Sequence, residues 1–193
     1  MLVLSIVEIL KDWDAQLLLT INGLHTVFLD SCMHYISNKY FWIPFYVLLL
    51  FFVIQKQGKV TWLILVFIAL TIALSDQICL HFFKNVFLRY RPCHNAVLAP
   101  QLHLVDDCGG MYGFISSHAA NTFALSTFLV ILLSKQIKWI SLLFVWAFLV
   151  GYSRIYLGQH YPSDVAVGAV IGVAAAWLVS KLYFYSKEKI AYV

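Results

Sequence analysis

The chain has 193 residues, 62% of them hydrophobic and 11% charged, with a formal net charge of +4. With a mean hydropathy of +0.84, this composition excludes an ordinary soluble domain and points to one integral membrane domain. No basic tract is interleaved with aromatics and no cysteine pair has Cys-x-x-Cys spacing, which argues against nucleic acid and against a zinc site.

The first 40 residues carry no basic n-region and no small-residue cleavage site, so no removed signal peptide is expected. Ile6, Leu10, Trp13 and Leu17 recur at helical spacing, with Glu8, Lys11, Asp12 and Gln16 between them, the pattern of an amphipathic interfacial helix. Residues 17–36 are more apolar but are interrupted by Asn22, His25 and Asp30, so a second interfacial or half-embedded helix is favoured. Asn22 and Gly23 mark the break. A sixth crossing here is the alternative. From residue 41 onward the apolar runs are clear, at 41–54, 60–83, 119–134, 139–154 and 165–185. The expected fold is therefore all-α: an antiparallel bundle of five transmembrane helices over residues 41–193, an outer loop at 92–115, and interfacial helices over 1–40.

Charge placement orients this bundle. Lys56, Lys59, Lys135, Lys138, Lys181, Lys187 and Lys189 fall at one set of helix ends, the cytoplasmic side by the positive-inside rule. Arg89, Arg91, Arg154 and Lys84 fall at the other ends, against that rule, which suits an anionic ligand on the outer, periplasmic face of a cell membrane. Trp42 and several tyrosines near helix ends fit an aromatic belt.

Three stretches carry chemistry. In the first, residues 151–164, Arg154, His160 and Asp164 cluster at a membrane boundary. Asp164, four residues after His160, could take the proton on one ring nitrogen and leave the other free to attack. Arg154 offers a donor fork suited to phosphate. Read alone, the stretch could equally be an interfacial loop with a snorkelling Arg and a capping Asp. In the second, Lys84 and Arg91 are seven apart and share a face if the helix continues, with Cα atoms about 10 Å apart, so both could close on one phosphate. Pro92 would end that helix, and Arg89, off the face, reads as an interfacial anchor. In the third, Ser116, Ser117 and His118 open a helix whose unpaired N–H groups can meet an anion.

In order and spacing these stretches resemble the signature of the type 2 phosphatidic acid phosphatase superfamily, which also includes vanadium haloperoxidases. Lys84, Arg91 and Pro92 match its first motif, and Ser153, Arg154, His160 and Asp164 its third. The second motif is matched at Ser116 and His118, with Ile115 in place of Pro and Ser117 in place of Gly. The resemblance implies a membrane lipid phosphatase in which His160 is the nucleophile, Asp164 orients it and His118 protonates the leaving oxygen. Lys84, Arg91, Arg154, Ser116 and Ser117 would bind phosphate, with no metal or cofactor.

A polyprenyl diphosphate such as undecaprenyl diphosphate is the first substrate choice; lipid A phosphate, phosphatidylglycerol phosphate and phosphatidic acid remain open. Transfer to a second lipid, or non-catalytic lipid binding or transport, are the competing readings. Oligomeric state is not readable. The loop carboxylates and imidazoles Asp106, Asp107, His94 and His103 lack compact metal-ligand spacing. Cys93 and Cys108 share the outer loop, on the oxidising side, and are expected to form a disulfide, with Cys32 and Cys79 reduced. Gly168, Gly172, Ala175 and Ala176 form a small-residue stripe suited to helix packing.

Overall fold

The computed structural model describes residues 2–191, with side chains described for residues 6–189. Among these the regular secondary structure is helical, apart from one isolated bridge between Tyr90 and Tyr112. The N-terminal pair is α1 (Leu2–Asn22) and α2 (Val27–Ser37). Next come α3 (Ile43–Gln57) and α4 (Thr61–Gln77), the latter running on through a π-helical segment, Ile78–Lys84, into a final turn, α5 (Asn85–Phe87). After the outer loop follow α6 (Ser117–Leu133), α7 (Leu143–Tyr156) and α8 (Pro162–Ala191).

Local chemistry sets these boundaries. Gly58, at φ 54°, ends α3, a conformation that costs a residue with a Cβ. Thr26 caps α2 by accepting from Leu29 N at 3.2 Å. Leu49 and Val53 of α3 pack in one core with Leu63, Ile64 and Phe67 of α4, joined by Phe128, Leu133, Trp146 and Tyr183 from the later helices. Gln57 donates to Gln136 at 3.2 Å, so the two lysine-flanked turns meet at one end of the bundle.

The tightest contact is between α6 and α8. A Cβ built on Gly168 would lie 2.6 Å from the Ser116 carbonyl oxygen, and one on Gly172 only 2.1 Å from that of Ala120. Both neighbours are backbone, so these glycines let the two helices touch main chain to main chain, as the small-residue stripe led us to expect.

Among the described residues three stretches are long and apolar enough to cross a membrane: Ile43–Phe87, Lys138–Tyr156 and Pro162–Lys189; Ser117–Leu133 is apolar but shorter. One local expectation differs from the structure. The helix carrying Lys84 does not continue to Arg91 and is not ended by Pro92: it stops at Phe87, and Leu88 turns left-handed at φ 46°. In α1, the apolar stripe Ile6, Leu10, Trp13 and Leu17 is exposed and faces away from the bundle. What packs inward is the opposite face, with Leu18 and Asn22 buried and Asp14 partly so. An amphipathic helix in a bilayer interface has good reason to present its apolar side outward.

Candidate active site

The end of the bundle opposite the lysine turns gathers the three stretches singled out by sequence. His160 sits in the turn between α7 and α8 and is 1% exposed, beside Asp164 at 0%. That turn is tight because Gly158 takes φ 69° and the backbone N–H groups of Gln159 and His160 both return to the Arg154 carbonyl, at 3.1 and 3.2 Å. Pro162 then opens α8, and Asp164 Oδ2 accepts from Tyr161 N at 3.0 Å. The same carboxylate oxygen lies 3.5 Å from His160 Nδ1, facing it without hydrogen-bond alignment. On the other side of the ring, Arg91 Nη1 is 3.2 Å from Nε2. An Nδ1–H tautomer turns its proton toward the carboxylate and lets Nε2 accept from Arg91. Burial, and then the cations Arg91, Arg154 and Lys84, hold this imidazole well below its ordinary pKa, so it is neutral at neutral pH.

Arg91 reaches the site from the loop, held by its backbone N–H on the Met111 carbonyl at 3.0 Å and by the adjoining Tyr90–Tyr112 bridge. Gly113 makes room for it: a Cβ there would lie 2.9 Å from Arg91 Cγ and 3.5 Å from Asp164 Oδ2. Lys84, on the π-helical segment, donates to Ser117 Oγ at 2.8 Å. Arg154 is anchored by a short contact of Nη1 with Ser37 Oγ from α2, while its buried Nε has no partner.

Ser116 plays a different part from the phosphate donor expected of it. It is fully buried, its Oγ caps α6 by accepting from Ala119 N, and its own N–H donates to the Asp164 carbonyl at 3.0 Å. Its polar atoms tie α6 to α8. Ser117 and His118, one and two residues further on, line open space.

Two cavities meet at His118. One is a polar vestibule of about 440 Å³ bounded by His34, Arg91, Asp106, Asp107, Arg154 and Gln159. The other is an apolar groove of about 620 Å³ running between α3, α4 and α6, past Leu50, Ile68, Ile72 and Leu125, with Asp76 and Ser117 at its polar end. The outer loop closes over the vestibule. Cys93 and Cys108 are bonded across it, with Cα atoms 6.0 Å apart. His34 pairs with Asp106 at 2.5 Å and His103 with Asp30 at 2.9 Å, tying α2 to the loop. His94 contacts the Gly109 carbonyl. Among the described residues no three His, Cys, Asp or Glu side chains form a group able to hold a metal ion.

Sequence reasoning missed Asp14, Ser37 and Arg89. Arg89, expected to be a surface anchor, instead lies inside a pair of carboxylates, donating to Asp164 Oδ1 at 2.9 Å and to Asp14 Oδ2 at 2.7 Å. The one signal available was that Asp14, Leu18 and Asn22 repeat every four residues opposite the apolar stripe. Ser37 has no local signal.

The chain is similar to several known proteins. The profile of the PAP2 superfamily matches residues 62–188. A lipid A 4'-phosphatase of Bacteroides thetaiotaomicron is 41% identical over 176 residues, 89% of this chain and 77% of that protein. One from Porphyromonas gingivalis is 33% identical over 94% of this chain and 78% of its own length. An undecaprenyl-diphosphatase of Sulfolobus acidocaldarius is 32% identical over 86% of this chain and 72% of that protein. The crystal structure of Aquifex aeolicus LpxE superposes with a TM-score of 0.61 at 28% identity, covering 86% of this chain and 93% of that one.

Proposed function

The chain belongs to the PAP2 superfamily, and on that premise we propose that it is a membrane phosphatase removing a phosphate ester from a phosphorylated glycolipid of the lipid A type. The observation that carries this reading is the meeting of the polar vestibule and the apolar groove at His118, with Arg91 and Arg154 in the wall of the first and Ser117 in that of the second. A phosphate held there has room for a polar headgroup on one side and for acyl chains on the other. The two relatives named as lipid A 4'-phosphatases supply the choice of lipid, and move polyprenyl diphosphate from first place to second.

The residues then act as follows. Lys84, Arg91, Arg154 and the Ser117 hydroxyl hold the phosphate, and its charge draws Arg91 away from His160 Nε2. That nitrogen attacks phosphorus in line, forming an N–P bond as the P–O bond to the lipid breaks. His118 gives its proton to the departing oxygen. Asp164 faces Nδ1–H and stabilises the positive charge that grows on the ring. Water then gives a proton to His118 and attacks phosphorus, breaking the N–P bond, releasing inorganic phosphate and restoring both histidines. Phosphoryl transfer asks chiefly for positioning and charge stabilisation, and three cations supply both. Ser116 contributes by fixing the start of α6. The topology that goes with this chemistry has five crossings, α3, α4, α6, α7 and α8, with the site at the outer face and α1 and α2 in the interface.

The test is phosphate release by purified protein from lipid A phosphate, undecaprenyl diphosphate, phosphatidylglycerol phosphate and phosphatidic acid, with and without an acceptor lipid. Lipid A phosphate should give the highest kcat/KM, with phosphate in solution and not on the acceptor. His160→Ala should abolish turnover, and His118→Ala should slow it least for substrates with a good leaving group. Asp164→Asn should impair less than His160→Ala. Turnover by His160→Ala near that of the unmodified enzyme would sink the mechanism, and a fastest rate on undecaprenyl diphosphate would overturn the lipid choice.

A further inference from the structure

Asp164 has two carboxylate oxygens, and the mechanism uses one. Oδ2 faces His160 and accepts from Tyr161 N, whereas Oδ1 is taken by Arg89 Nη1 at 2.9 Å. The same Nη1 reaches Ser163 Oγ at 2.8 Å, and Nη2 reaches Asp14 Oδ2 at 2.7 Å. Asp14 comes from α1, the interfacial helix, and its Oδ1 also accepts from Ser163 N at 2.8 Å in the first turn of α8. The Ser163 hydroxyl closes the ring with a short contact to Asp14 Oδ2. Below this network the guanidinium lies 3.8 Å over the Tyr161 ring. Asp14 is 9% exposed at its side chain, Arg89 26% and Asp164 0%.

We propose that Asp14 and Arg89 are positioning residues for catalysis, an outer pair that sets both the orientation and the effective charge of Asp164 behind His160. This rests on the reading of His160 as nucleophile. The physical reason lies in how one guanidinium is shared. An Arg facing a single buried carboxylate forms a forked pair and largely cancels its charge. Here the fork is split between two carboxylates, so Asp14, Arg89 and Asp164 together keep one negative charge. That charge matches the single positive charge which develops on the His160 ring as the N–P bond forms. Removing Asp14 would leave Arg89 to neutralise Asp164 alone, and the ring would lose its counter-charge in the transition state while phosphate binding stayed intact. Arg89 engages Asp164 through Oδ1 and not through the oxygen that faces His160, and Asp14 lies beyond Arg89, so both act on the ring through that carboxylate.

A kinetic split tests this. Asp14→Asn, Asp14→Glu and Arg89→Lys should be compared with His160→Ala and the unmodified enzyme, in one detergent, on the best substrate of the panel. Folded sites are counted from the monodisperse peak on gel filtration, so that a loss of folded protein does not register as a loss of kcat. Removing an outer partner of a functional side chain lowers activity by roughly 10–100-fold. Asp14→Asn should therefore lose that much in kcat per active site with KM within about threefold, and Asp14→Glu should recover part of it. Arg89→Lys, which keeps the charge but cannot bridge two carboxylates, should resemble Asp14→Asn. If Asp14→Asn and Arg89→Lys keep kcat per site within twofold, or lose activity through KM alone, the proposal is overturned while the nucleophile stands. If instead His160→Ala turns over normally, it is the underlying reading that fails.

Discussion

Gly172→Ala adds one methyl group at the closest approach of α6 and α8, and two effects of opposite sign compete there. Alanine in a helix is favoured over glycine by about 0.5–1 kcal/mol. Against this, the new Cβ would lie 2.1 Å from the Ala120 carbonyl oxygen, 2.9 Å from its carbon and 3.0 Å from Ala124 N. All three are backbone, so no side chain can swing aside. Reaching an ordinary contact of about 3.5 Å means parting the two helices by more than 1 Å. Overpacking of this kind costs about 1–3 kcal/mol, and rigid main chain puts it at the upper end, for a net loss near 2 kcal/mol. In a chain of this length that lowers Tm by about 4–8 °C, measurable by tryptophan fluorescence on heating in detergent. Activity should fall as well, because one turn earlier Gly168 meets the Ser116 carbonyl, and Ser116 N holds the Asp164 carbonyl at 3.0 Å. Gly110→Ala, with nothing within 4 Å, is the control and should leave both quantities unchanged. A Tm for Gly172→Ala at or above that of the unmodified protein would refute the main-chain contact and the reasoning from it.

The remaining predictions concern the site itself. Because the pKa of His160 lies well below 6.5, its nucleophilic neutral form survives as the pH falls through the usual imidazole range. Corrected for the substrate's own second ionisation, kcat/KM should therefore begin to fall through protonation of this base only well below pH 6.5, and a break from it at 6.5 or above would contradict the assignment. With Lys84, Arg91 and Arg154 around the phosphate, chelators should leave the rate intact and vanadate should inhibit, since its five-coordinate adduct resembles the in-line transition state. Activity lost on chelation and restored by a divalent ion would count against this. Protein purified without reductant and alkylated should yield Cys93 and Cys108 in one cross-linked peptide pair. Reduction should lower stability by about 3 kcal/mol for a loop of this size, and finding both thiols alkylated would rule the bridge out.

How far the site could be read from sequence follows the range of each interaction. Lys84, Arg91, His118, Arg154, His160 and Asp164 were legible because they sit at helix ends in short motifs, where a polar group in an apolar context stands out. The geometry between motifs was not. The spacing of Lys84 and Arg91 suggested one helical face, yet Leu88 turns left-handed and a loop bridge delivers Arg91 instead. Ser116 looked like a donor because helix starts have free N–H groups, but its own N–H is bound to Asp164, which only the packing of α8 determines. Asp14 and Ser37 act on partners 75, 149 and 117 residues away, and no local pattern records such a meeting.

That separation has a consequence for the order in which the protein is made. Asp14 leaves the ribosome before its partners: Arg89 follows 75 residues later, and Ser163 comes 149 residues after Asp14. Until α8 emerges, Asp14 has no Ser163 to cap, Arg89 has no Asp164 to share, and His160 has no carboxylate behind it. A nascent chain halted anywhere before residue 164 is therefore catalytically silent, however well its earlier helices have entered the bilayer. Asp14 is made before each of these partners, yet it completes its bonds only when the last of them has emerged.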